Sequence, residues 1–184
     1  MLRGSWLWIL LTSLGVAGLF AWGSKSDAAT GGTVGLDSLG GGDGGNGVSG
    51  TTQITNDPAT WPTGDRVWDI CRAIAFAEGA HRAGQNPDVL NNPGDLSDGA
   101  ETFGFQEHSG SRVTTFPDKA TGWGWLRDKV NNIVTGQSKT YSVSDTWQEV
   151  AQKWAGDWRN WLKNVTRELD VSPQSTPADY VNGA

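Results

Sequence analysis

Apolar positions mark out the folded part of this chain. From Arg66 to Gly79 they recur at Val67, Ile70, Cys71, Ile74 and Ala75. That spacing predicts a helix with one apolar stripe, although Phe76 lies off it. Gly79 is placed to end the helix. Three more helical segments follow. Lys119 to Thr135 carries Trp123, Leu126, Val130 and Ile133 in register and closes at Gly136. A segment capped by Ser144 presents Trp147, Val150, Ala151 and Trp154 and closes at Gly156. Trp158 to Leu169 carries Trp158, Trp161, Leu162, Val165 and Leu169. Between the first and second helices, Thr102–Glu107 and Arg112–Phe116 read as two short strands, with His108 to Ser111 as their turn. Pro117-Asp118 ends the sheet and can start the next helix.

The stretch before the first strand is rich in turn signals: Asn86-Pro87, Asn92-Pro93-Gly94 and Asp98-Gly99. It predicts a loop of about 20 residues, a length associated with function or mobility. The expected fold is therefore mainly α (α+β), one domain over 61–171 with a small β-hairpin. The polar tail, 172–184, is expected to be disordered.

The N-terminus has another character. From Trp6 to Trp22 the chain is uncharged, at the short limit of about 17 residues for crossing a bilayer core. Trp6, Trp8 and Trp22 sit at its ends, and Arg3 precedes it. Residues 1–27 are expected to be an uncleaved transmembrane anchor; a cleaved signal segment with small residues at Ser26 and Ala28 is the rival. Either would carry the remainder to the extracytoplasmic side. Residues 28–60 are Gly/Ser-rich and expected to be a flexible linker with a reach of about 30 to 35 Å.

Composition narrows the function classes. The chain of 184 residues has a net charge of −6. Within 61–171 there are 12 Lys/Arg and 15 Asp/Glu, with no basic run. That argues against nucleic acid as a partner, which needs a basic patch. The one cysteine, Cys71, falls on the apolar stripe and reads as a small buried hydrophobe. Two histidines without helical pairing give no basis for a metal site, and no cofactor is expected.

One carboxylate stands out. Continued at 3.6 residues per turn, the first stripe lands on Glu78 in the last turn of its helix. Burial and the helix C-terminus both disfavour the charged form. A carboxyl so placed can remain protonated near neutral pH, the requirement for a general acid. A solvated Glu at a helix end is the plain alternative.

In order along the chain, AIAFAEGA, NNPGDL, FPDKATGWGWL, DTWQEVAQKWA and WLKNVTRELDV resemble a small lysozyme-like family. Its members are phage virion-associated muramidases and wall hydrolases related to goose-type lysozymes and soluble lytic transglycosylases. The resemblance covers about Val67 to Val171. It implies an α-rich, two-lobed fold with a glycan cleft and peptidoglycan as partner, and it matches Glu78 to the family's catalytic glutamate. The loop with Asn91, Asn92, Pro93 and Gly94 matches the cleft-lining loop. By the same analogy Asn91, Asn92, Gly94 and Gln106 are expected to bind substrate. Asp95 stands where the family commonly has Asn, and the region of Trp161 where relatives often have Tyr.

The implied reaction is cleavage of the β-1,4 bond between N-acetylmuramic acid and N-acetylglucosamine, with Glu78 as acid. Asp95, Glu101 and Glu107 are candidate second carboxylates. The transglycosylase route needs none, because the substrate's acetamido group assists. The other classes are a glycan-binding module, an anchored virion or envelope assembly protein, and a chitinolytic enzyme. Glu78 favours an enzyme over a binder; a large exposed apolar patch would favour assembly.

Overall fold

The computed structural model describes residues 53–108 and 110–183. The expected membrane segment and most of the expected linker lie outside them. Among the described residues no helix is long and apolar enough to cross a membrane.

The structure is mostly helical with one small antiparallel sheet. Its elements are α1 (Arg66–Glu78), α2 (Asn86–Val89), α3 (Ala100–Phe103), β1 (Phe105–His108), β2 (Ser111–Thr114), α4 (Lys119–Val134), α5 (Trp147–Trp154), α6 (Trp158–Leu169) and α7 (Pro177–Asn182). Helix α1 is central: it packs against α4, α6 and α7, while α5 packs on α6. The core forms where these helices meet, around Ile70, Cys71, Ile74, Leu126, Trp147, Val150 and Val165.

Local chemistry sets the helix ends. Asp65 caps α1 by accepting from the Trp68 amide at 2.9 Å. Gly79 stops it in the left-handed conformation at φ 86°, and the Ala80 amide bonds back to the Ala75 carbonyl. Asp118 caps α4 through the Thr121 amide at 2.7 Å. The cap of α5 is Thr146, in a reciprocal pair with Glu149, and not Ser144 as the pattern suggested. Both residue types cap well; Thr146 also has a Glu three residues on to return the bond.

Four other expectations are corrected. Asn86-Pro87 opens α2, since proline is compatible with a first helical turn. Thr102 belongs to α3, so β1 is confined to Phe105–His108 and pairs Gln106 with Val113 and Glu107 with Arg112. The tail is ordered from Ser172 to Gly183. The Trp147 and Gln148 amides bond to the Ser175 and Pro173 carbonyls, Thr176 caps α7, and Pro177 and Ala178 are buried. Arg66 bonds to the Tyr180 carbonyl and lies over its ring. Order also begins before Trp61. A 3-10 turn at Pro58–Thr60 is capped by Asp57, and the Trp61 indole donates to the Thr55 carbonyl at 3.1 Å.

The segment between α2 and α4 is stapled onto the sheet. Asn91 and Asp95 take left-handed conformations, φ 54° and 49°, so the chain turns tightly around Pro93-Gly94. The Phe116 amide bonds to the Leu90 carbonyl, and the Thr114 amide to that of Leu96. Helix α4 comes close beneath: a Cβ on Gly122 would lie 1.8 Å from the Asn91 carbonyl oxygen.

Candidate functional site

Glu78 ends α1, which packs on α6, and α5 reaches it through Trp154. Its Oε1 accepts two hydrogen bonds, from Trp154 Nε1 at 3.0 Å and Trp161 Nε1 at 2.8 Å. The two indoles stack with ring centroids 5.6 Å apart, and Tyr141 lies 6.1 Å from Trp154. Burial pushes the Glu78 carboxyl up to about 8, and the negative charge of Asp95 adds to that; the two indole N–H groups oppose it. At neutral pH the group is therefore mostly protonated and can donate a proton to an oxygen placed against it.

Of the three candidate second carboxylates, Asp95 is the one whose charge reaches Glu78. Glu101 is exposed and pairs with Arg112 at 3.2 Å. Glu107 lies on exposed β1, across the sheet from Arg112. Neither contributes to the Glu78 environment.

The expected substrate-binding residues divide. Asn92 is fully buried. Its Nδ2 donates to the Leu96 and Thr114 carbonyls at 2.8 and 2.9 Å, and its Oδ1 accepts from the Leu96 amide at 2.8 Å. Those three bonds leave no donor for a sugar, so Asn92 is a structural staple and the expectation is corrected. Gly94 is buried too, and its missing Cβ would stand 2.8 Å from Leu126 Cδ1, so close packing on α4 accounts for the glycine. Asn91 is partly exposed and gives its amide to the Phe116 carbonyl at 3.1 Å. Gln106 is exposed on β1, available to a ligand.

The periodic pattern marks Trp154 and Trp161 only as members of apolar helix faces, and the resemblance marks the region of Trp161 only as an aromatic position. The signal that would have found their role is chemical: a buried indole N–H needs an acceptor, and few are nearby in an apolar core. Beyond Trp154, Lys129 of α4 lies 5.6 Å from its ring centre and pairs with Asp98.

Cys71 is completely buried, which drives its thiol pKa far up and leaves it inert. Among the described residues, no group of His, Cys, Asp and Glu side chains is arranged to hold a metal ion. A small pocket bordered by Thr55, Trp61, Pro87, Asn91, Lys119 and Trp123 does not include Glu78. Comparison with family models, with characterised proteins and with solved structures finds no match to this chain.

Proposed function

We propose that this protein is a membrane-tethered, lysozyme-like glycosidase that cuts the β-1,4 bond between N-acetylmuramic acid and N-acetylglucosamine in peptidoglycan. The observation that carries the reading is Glu78, a largely enclosed carboxyl with its pKa near 8 on the helix at the centre of the domain. A structural glutamate would be expected to find a cation; here the partners are two neutral indoles and a like charge. Support also comes from the ordered resemblance of AIAFAEGA and the later segments to lysozyme-like enzymes. The mostly helical fold with a small hairpin is compatible with that family.

In the proposed reaction Glu78 gives its proton to the leaving glycosidic oxygen, and positive charge develops at the anomeric carbon. In this reading Asp95, whose own charge reaches Glu78, stabilises that positive charge or orients water. In the transglycosylase variant of the chemistry the substrate's acetamido group takes that role and the 6-hydroxyl closes a 1,6-anhydro product. The hydrophobic segment at 6–22 and the glycine-rich stretch after it would hold the domain near an extracytoplasmic membrane face, where the wall lies.

The test is product analysis. Full-length protein and a Glu78→Gln variant are incubated with purified peptidoglycan, and soluble fragments are weighed by mass spectrometry. Release by the parent alone is expected. A 1,6-anhydro end identifies a transglycosylase, a reducing end a hydrolase. No release from either protein overturns the enzyme reading in favour of a glycan-binding or assembly role.

A further inference from the structure

Among the described residues, the Glu78 side chain is held through one oxygen, Oε1. Trp154 ends α5 and Trp161 lies in the first turn of α6. Their stacked indoles, 29° apart in plane, aim both Nε1–H groups at Oε1, at 3.0 and 2.8 Å. A carboxyl oxygen has two lone-pair directions, and both on Oε1 are engaged. A proton on Oε1 would displace one indole and strand its N–H in a closed environment. We propose that Trp154 and Trp161 are positioning residues that confine the acidic proton of Glu78 to Oε2, the oxygen presented to the bond being cleaved. The catalytic consequence rests on the glycosidase reading above; the placement of the proton rests on geometry alone.

Among the described residues, few charged groups face Glu78. The loop after α2 brings Asp95; α5 and α6 bring the two neutral indoles; α4 brings the Lys129–Asp98 pair beyond the Trp154 ring. Indole donors favour the carboxylate, so removing one should raise the proton affinity of Glu78. Loosened packing would act in the opposite direction, because water entering the site favours ionisation. The sign of the change therefore separates positioning from a merely structural role.

The experiment uses the full-length chain labelled with ¹³C at glutamate side-chain carboxyls, the Glu78 resonance being assigned by its loss in Glu78→Gln. Its titration is followed by NMR in Trp161→Phe and, independently, in Trp154→Phe, whose parent residue is less buried and whose variant keeps most of the ring volume. The expected result in each is a midpoint raised by about one pH unit, a tenfold rise in proton affinity. On purified peptidoglycan the alkaline limb of the rate profile should rise with it, and kcat should fall about tenfold with KM little changed. An unchanged or lowered midpoint in both variants overturns the proposal. A raised midpoint with no fragment release by the parent upholds the proton placement and rejects the glycosidase. Release by the parent with an unmoved midpoint does the reverse.

Discussion

Replacing Glu78 by Gln should stabilise this protein, and only above acidic pH. The side chain keeps its size and an oxygen to accept from Trp154 and Trp161. What it loses is the ability to ionise. In the folded chain the Glu78 carboxyl titrates near 8, against an ordinary value of 4.5. An acid whose folded pKa is raised holds its proton more tightly when folded. Below about 4.5 both states are protonated and the group makes no difference. Above that the unfolded chain gains by releasing the proton, and stability falls by about 1.4 kcal/mol per pH unit until the folded group ionises near 8. The Gln variant escapes this loss. Its advantage over the parent should be near zero at pH 4, about 3 kcal/mol at pH 7 and about 5 kcal/mol above pH 8. The neutral-pH figure corresponds to a Tm increase of roughly 10 °C. The assay is urea unfolding of both full-length chains at pH 4, 7 and 9, with equal m-values as the check that the unfolded states match. A difference that does not grow with pH, or a variant less stable than its parent at pH 8, would refute the claim that the site holds a neutral carboxyl.

Two further predictions concern the framework. Asn92→Ala removes three buried hydrogen bonds and strands the Leu96 amide, so it should cost about 3 to 4 kcal/mol in urea unfolding. A rise in KM with unchanged stability would instead restore Asn92 as a ligand-binding residue. Gly122→Ala drives a methyl into the Asn91 carbonyl and should cost more than about 3 kcal/mol, whereas Gly124→Ala on the same helix meets nothing within 4 Å and should be neutral or gain up to about 1 kcal/mol. Thermal denaturation of the pair decides it, and equal melting temperatures would discount the close approach of α4.

Much of the helical framework is legible in the chain itself. The stripe at Val67, Ile70, Cys71, Ile74 and Ala75 yields α1, and the pattern of Trp158, Trp161, Leu162, Val165 and Leu169 yields α6 with the same bounds as the structure. Period and caps are local properties: a helix reports its buried face every three or four residues, and Gly79 reports its end. The tail hides its helix because α7 is short and is held by distant groups, Arg66 on α1 and the amides of α5. No local pattern records contacts of that kind.

The site divides along the same line. That the apolar stripe of α1 runs on to Glu78, next to the helix end, follows from its position in the sequence. That its carboxyl is enclosed by two indoles and raised by Asp95 depends on bringing residues 95, 154 and 161 to one point. Desolvation and charge act through space over a few ångströms, while sequence orders residues along the chain. The same limit hid the role of Asn92 in the loop: placed by resemblance among the substrate ligands, it is fastened inward by Leu96 and Thr114. The chain determined that a carboxyl would stand on the stripe of α1 beside the helix end; only the packing of α5, α6 and the stapled loop around it decided that it would be enclosed and stay neutral.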